Sequence, residues 1–258
     1  MPEGDTVYQA ARRLHEALAG TVLTRCDLRV PKYATVDLSG ETVHEVVSRG
    51  KHLLARVGDY SIHSHLKMEG VWQVYRPGER WRKPAFKARA ILANDRAEAV
   101  GFELGLLEVV RTADEDDVVG YLGPDLLGPD WDADLALGNL TRDPDREVGL
   151  ALLDQRVMAG LGNVYRAELC FLRGILPTRP VGEVPQPEKV VALAKRLIDA
   201  NRDRVERTFT GNEFRDRFWV YGRTGQRCRR CGTPVRKGEL GDTELQLRDV
   251  WWCPRCQT

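Results

Sequence analysis

The sequence has no long apolar run and no excess of one charge. No stretch approaches the 18 or more apolar residues needed to span a bilayer, and the opening MPEGDTVYQAARR has no apolar core behind a basic region. No membrane span or signal peptide is therefore expected, and a cytoplasmic protein is. With 39 Lys and Arg against 38 Asp and Glu, the net charge is only +1, which gives no case of its own for a polyanionic partner. Internal repeats and low-complexity tracts are absent. Cysteine is scarce until the end of the chain: Cys26 and Cys170 stand alone in apolar surroundings, as small core residues do. The other four fall within the last 31 residues. A length of 258 residues with 42% hydrophobic and 30% charged content exceeds one typical domain and suits two.

What is present changes character along the chain. DTVYQAARRLHEALAG places Val7, Ala11, Leu14 and Leu18 at a helical period, with Asp5 or Thr6 as N-cap and Gly20 as the stop. From Thr21 to about Arg111, short β-branched runs (VLTRCDLRV, HEVVSRG, HLLARV, VWQVY, ARAILA, LLEVVRT) broken by Gly, Pro, Asp and Asn predict an antiparallel sandwich or barrel. GPDLLGPDWD, residues 123–132, has two Gly-Pro-Asp turns and no period, as a linker would. REVGLALLDQ, NVYRAELCFLRG and EKVVALAKRLIDANRDRVERT then read as helical, the last with Val190, Leu193, Ala194, Leu197 and Ile198 on one face.

Cys228-Arg-Arg-Cys231 and Cys253-Pro-Arg-Cys256 are two CxxC pairs separated by 21 residues, slightly longer than the usual spacer. In a chain without a secretion signal, such a cluster favours metal over two disulfides. Four thiolates close a tetrahedral site, so one structural Zn²⁺ is expected, with no open position for catalysis. Metal binding of this kind contributes roughly 10–16 kcal/mol to folding, and the segment from Arg223 onward lacks the apolar content for a core of its own. Between Arg202 and Lys237 there are 11 Lys or Arg against four acids. A run of this kind is usually a solvated face; beside the cysteines it suits DNA phosphates.

Other features are weaker alone. The Ala159-Gly160-Leu161-Gly162-Asn163 turn opens a helix, where backbone N–H groups and an Asn163 donor could hold a phosphate or simply join two helices. The loops SRGKHLL and HSHLKMEG carry Lys51 and Met68. A loop lysine is ordinarily solvated and a methionine ordinarily core, but an exposed Met68 would suit a wedge pushed into a base stack. Pro2 after the initiator lets aminopeptidases trim Met1, leaving a secondary amine as the N-terminus.

Taken in order, PEG after Met1, RGKHLL at 49–54, HLKMEG at 65–70, LLDQRVMAGLGNVYRAE at 152–168, VYGRTGQRCRRCGTPV at 220–235 and RDVWWCPRCQ at 248–257 resemble the formamidopyrimidine-DNA glycosylase/endonuclease VIII family of base-excision repair. The resemblance implies an α+β multidomain fold. An N-terminal β-sandwich with its opening helix would span 1–120 and a linker 121–133. A helix-two-turn-helix domain would span 134–220, and a four-cysteine zinc finger 221–258, with damaged DNA across the cleft. It implies Pro2 as nucleophile, Glu3 as partner acid and Lys51 as a phosphate-binding and catalytic lysine. Asn163 would be the phosphate clamp, Met68 the void-filling wedge and Arg248 the finger arginine. Cys228, Cys231, Cys253 and Cys256 would hold the zinc.

The expected enzyme is thus a bifunctional DNA glycosylase and AP lyase, monomeric and nucleoid-associated. PEGDT stands where relatives commonly have PEGPE or PELPE. The stretch TFTGNEFRDRFWVYGR leaves no room for the long loop that caps 8-oxoguanine, and GFELGLLEVV does not match the Arg-Arg-Phe-Gly hairpin. Both departures point to the endonuclease VIII side and to oxidised pyrimidines, whereas HLKMEG is nearer the formamidopyrimidine pattern. An 8-oxoguanine glycosylase of the same family and a non-catalytic zinc-finger protein that binds damaged DNA are the alternatives.

Overall fold

The computed structural model describes residues 2–212 and 214–258; Met1, whose removal the opening suggests, and Glu213 lie outside the described residues. The chain divides into two compact units after Tyr121.

The first unit opens with helix α1 (Gly4–Leu18), followed by β1 (Thr21–Val22), β2 (Arg25–Leu28), β3 (Thr42–Arg49), β4 (His52–Val57), β5 (Tyr60–His65), β6 (Val71–Tyr75), β7 (Ala88–Ala93), β8 (Glu98–Phe102), β9 (Leu106–Arg111) and a short helix α2 (Asp116–Val119). The apolar stripe of α1 is buried at Val7, Ala11, Leu14 and Leu18. The helix starts earlier than the Asp5 or Thr6 cap expected from sequence: Glu3 is the N-cap, its carbonyl accepting the Val7 N–H at 3.1 Å, so Asp5 and Thr6 already lie in the first turn. Gly20, at φ +71°, turns the chain into β1.

Two antiparallel sheets follow, in the orders β1-β3-β4-β5-β9 and β2-β7-β8-β6, and make a sandwich. Period-2 alternation decides what each face does. Leu53, Ala55 and Val57 of β4, Ile62 of β5 and Leu107 of β9 join the stripe of α1 and Ala90, Leu92 and Ala99 of the other sheet in one core. Each large aliphatic side chain buried there contributes about 1.5–3 kcal/mol. The opposite face of β4 and β5 carries His52, Arg56, Ser61 and His63, and residues 112–121 cover it. Arg56 donates to Glu115 at 2.8 and 2.6 Å, Ser61 also donates to Glu115, and Tyr121 meets His52. Strands β5 and β8 are absent from the sequence expectation, β5 because YSIHSH buries polar residues on this second face.

The second unit holds α3 (Ala133–Thr141), α4 (Val148–Ala151), α5 (Asn163–Arg173), α6 (Pro187–Asn201), β10 (Arg236–Leu240) and β11 (Arg248–Trp252). Residues 123–132 pack here: Leu126 is fully buried, its N–H donates to Ala159 O at 3.1 Å, and Gly123 N donates to Gln155 O at 2.9 Å. REVGLALLDQ yields only the single turn α4, because Gln155 organises a loop instead, donating to Leu153 O and Leu161 O and accepting from Gly160 N. Helix α5 is buried on every side from Asn163 to Phe171. Val164, Tyr165 and Leu169 enter a core with α6, while Ala167 and Phe171 enter a second cluster with Val220, Val235 and Trp251. Gly174, at φ +72°, ends α5 as a left-handed C-cap.

Candidate functional site

In the first unit, Pro2 lies partly exposed, one residue ahead of the α1 N-cap, and Glu3 at that cap has no exposed surface. The positive end of a 15-residue helix dipole disfavours an ammonium beside it. Lys51 and Gly50 form the two-residue turn between β3 and β4, closed by the Arg49 to His52 pair. Gly50, at φ +57°, and Lys67, at φ +52°, take left-handed conformations, Gly50 at the tip of the β3–β4 hairpin and Lys67 at the tip of the loop that carries the chain from β5 in one sheet to β6 in the other. Met68 follows Lys67 and is 62% exposed, so it does not serve the core.

Sequence reasoning missed the cluster beneath these tips. His63 Nδ1 contacts Glu108 Oε1 at 2.7 Å, His63 Nε2 contacts His52 Nδ1 at 2.7 Å, and His52 Nε2 contacts the Tyr121 hydroxyl at 3.1 Å. His65 stands edge-on to His52 with ring centroids 5.0 Å apart and accepts the N–H of Lys67 at 2.9 Å. Burial, then His63, His65 and the two lysines Lys67 and Lys51, pull His52 down to about 3. Burial followed by Lys67, Lys51 and His63 pulls His65 down to about 4. Both rings are neutral at pH 7. The available signal was His63 and His65 two residues apart in YSIHSH, hence on one sheet face.

In the second unit the structure brings the asparagine turn to the finger strand. Asn163 is the first residue of α5 after the Gly162 N-cap. Its Nδ2 donates to Asp249 O at 3.0 Å, and Arg166 donates to both Asn163 Oδ1 and Asp249 O. Arg248, exposed at the start of β11, is the next residue. Part of the basic excess is used internally. Arg223 is buried and donates to Trp219 O and Arg227 O, Arg229 pairs with Asp216 at 2.6 Å and Lys237 with Asp249 at 2.8 Å.

The four cysteine sulfurs of the finger lie within 4.8 Å of one another. Cys228 and Cys256 are 4.0 Å apart and Cys231 and Cys253 3.4 Å, far from the ~2.05 Å of a disulfide and near the edge of a tetrahedron built on ~2.3 Å Zn–S bonds. Hydrogen bonds from Thr233 pull the Cys231 thiol down, while burial and the neighbouring cysteines push the Cys253 and Cys256 thiols up; a cation at their centre would hold all four as thiolates. The set fits a metal ion closed on all four sides. The long spacer is absorbed in the exposed tip at residues 241–247, so the ladder from Arg236 opposite Trp252 to Leu240 opposite Arg248 is regular.

Two family models match: the formamidopyrimidine-DNA glycosylase N-terminal domain over residues 1–103 and the formamidopyrimidine-DNA glycosylase H2TH domain over 122–215. A Streptomyces coelicolor protein described as probable endonuclease 8 2 is 57% identical, over all of this chain and 94% of its own length. A Mycolicibacterium smegmatis protein described as DNA-(apurinic or apyrimidinic site) lyase Nei2 is 53% identical, over all of this chain and 99% of its own. Among solved structures, the LlFpg protein in complex with a THF-DNA and an inhibitor superposes with a TM-score of 0.82 at 22% identity, covering both chains completely.

Proposed function

The chain belongs to the formamidopyrimidine-DNA glycosylase/endonuclease VIII family, and we propose that it is a bifunctional DNA glycosylase and AP lyase of base-excision repair acting on oxidised pyrimidines. What carries this is Pro2 directly ahead of the α1 N-cap with Glu3 buried beside it, in a chain 53% identical along its length to a named AP-site lyase.

Pro2 is the nucleophile once Met1 is removed. Its amine attacks C1′ of a flipped nucleotide as the damaged base leaves with the glycosidic electron pair; flipping costs a few kcal/mol, least for damaged bases. The ammonium so formed loses its N–H proton, and the nitrogen lone pair then opens the sugar ring to give a cationic iminium ion. Glu3 protonates the ring oxygen of the sugar and shuttles protons. The iminium acidifies C2′–H, and loss of that proton expels the 3′ phosphate; the conjugated iminium left behind acidifies C4′–H in turn, and loss of that second proton expels the 5′ phosphate. Lys51 holds a phosphate in the first unit, Asn163 and Arg248 hold the backbone in the second, and Met68 fills the space left by the flipped nucleotide. Cys228, Cys231, Cys253 and Cys256 hold one Zn²⁺, which shapes the finger and takes no part in the chemistry.

The preference for oxidised pyrimidines rests on the short connection between α6 and the finger and on relatives named endonuclease 8. We place the protein as a monomer in the cytoplasm, associated with the nucleoid. Borohydride reduction of a mixture with abasic-site duplex tests the chemistry: a covalent protein-DNA adduct through the N-terminus is expected, and no adduct from Met1-free protein would sink the lyase assignment. A panel of single-lesion duplexes tests the substrate. Thymine glycol, 5-hydroxycytosine, 5-hydroxyuracil and dihydrouracil should be cut in preference to 8-oxoguanine, and the reverse order would overturn the pyrimidine assignment.

A further inference from the structure

We propose that Glu108, His63, His52 and Tyr121 are positioning residues for Lys51, a hydrogen-bonded chain, buried at its two histidines, that holds the β3–β4 turn where the lysine meets a DNA phosphate. This rests on the assignment of Lys51 as a phosphate contact.

The chain has one direction. A carboxylate only accepts, so Glu108 fixes a proton on His63 Nδ1, and in the singly protonated ring His63 Nε2 is then an acceptor. His52 must then carry its proton on Nδ1 to donate to that nitrogen, and its Nε2 accepts from the Tyr121 hydroxyl. Every donor and acceptor is assigned, so His52 is fixed in tautomer and ring plane. His52 is the residue after Lys51 and the first of β4. Arresting its ring arrests the exit of a two-residue turn whose other residue is a glycine. The same cluster grips the second tip, through the Lys67 N–H that His65 accepts.

The fold alone does not call for this array. Leu54 shares its sheet face and is buried there without a polar partner, so aliphatic residues fit the face. Burying two imidazoles where a leucine would suffice costs desolvation. Arg56 with Glu115 already fastens residues 112–121 to the sheet. The histidine chain adds a connection that ends beside Lys51.

The test is affinity for a duplex carrying a stable abasic-site analogue, measured over a salt series. Removing one phosphate contact makes the slope of log affinity against log salt shallower by about 0.9. Lys51→Ala should show that change. His63→Leu should show the same change with Lys51 still present, and the double variant should add nothing further. His63→Gln should restore the slope, since its amide oxygen accepts from His52 and its amide nitrogen donates to Glu108. Tyr121→Phe removes a hydroxyl from a half-exposed side chain; it should also flatten the slope and carries the test if His63→Leu does not fold. A wild-type slope in folded Tyr121→Phe or His63→Leu, additive losses in the double variant, or failure of the glutamine to restore the slope would each overturn the proposal. An unchanged slope in Lys51→Ala would instead remove the phosphate assignment on which it rests.

Discussion

Three backbone N–H groups, those of Trp219, Val220 and Tyr221, end on one carboxylate, Glu168 of α5, at 2.7, 2.9 and 2.8 Å. Burial pushes this carboxyl up to about 7 while the three donors pull the other way. Its two oxygens accept all three N–H groups of the turn that leads into the finger. Glu168→Ala would orphan three donors, each costing about 1–3 kcal/mol when buried, so a loss of at least ~3 kcal/mol is expected, read from the urea midpoint at constant m-value. A midpoint at the wild-type position would show that this turn is held by other contacts. At this scale legibility is uneven. Pro2, Glu3 and Lys51 stand in short stretches whose residue types suggest chemistry, and the four cysteines declare themselves by spacing. Glu108, His63 and Tyr121 meet only because β4, β5 and β9 lie side by side, and Tyr121 comes 69 residues after His52, a distance no local pattern spans.

Among the elements, α5 and the β10–β11 hairpin depend on each other. Asn163 and Arg166 at the start of the helix bind the Asp249 carbonyl, and Phe171 near its end packs with Trp251 and Cys253. The finger is thus a hairpin, with four cysteines placed to hold a metal ion, resting on a buried helix. Cys253→Ser should reduce zinc content from one ion per chain to none by elemental analysis and weaken DNA binding, with Arg248 no longer held at the strand start. Full affinity in a metal-free variant would separate the finger from binding. Periodicity made α5, α6 and most strands legible. It failed at α4, where Gln155 side-chain bonds outweighed the helical pattern of REVGLALLDQ, and at β5, whose second face is covered and so does not alternate.

For the whole molecule, the change from short β runs to helical periods anticipated a two-unit chain, and the structure divides after Tyr121. Residues 123–132 read as a linker because their turns lack a period, yet Leu126 is fully buried; burial of one leucine in a proline-rich stretch leaves no sequence signature. If Pro2 is the nucleophile, as proposed, activity hangs on cleavage of the Met1–Pro2 bond. With Met1 retained, the Pro2 nitrogen is a tertiary amide without a basic lone pair. Such protein, identified by intact mass, should bind abasic-site DNA yet give no borohydride adduct; an adduct from it would place the nucleophile elsewhere.

The two-residue turn at Gly50 and Lys51 also sets where this chain can change length over its history. An insertion there would slip β3 against β4 by one position and exchange the two faces of the sheet, turning His52 toward the core and Leu53 away from it. The finger tip at 241–247 has no such constraint, because its ladder closes before the loop begins. Descendants of this sequence should therefore vary in length at the finger tip and keep the lysine turn at two residues.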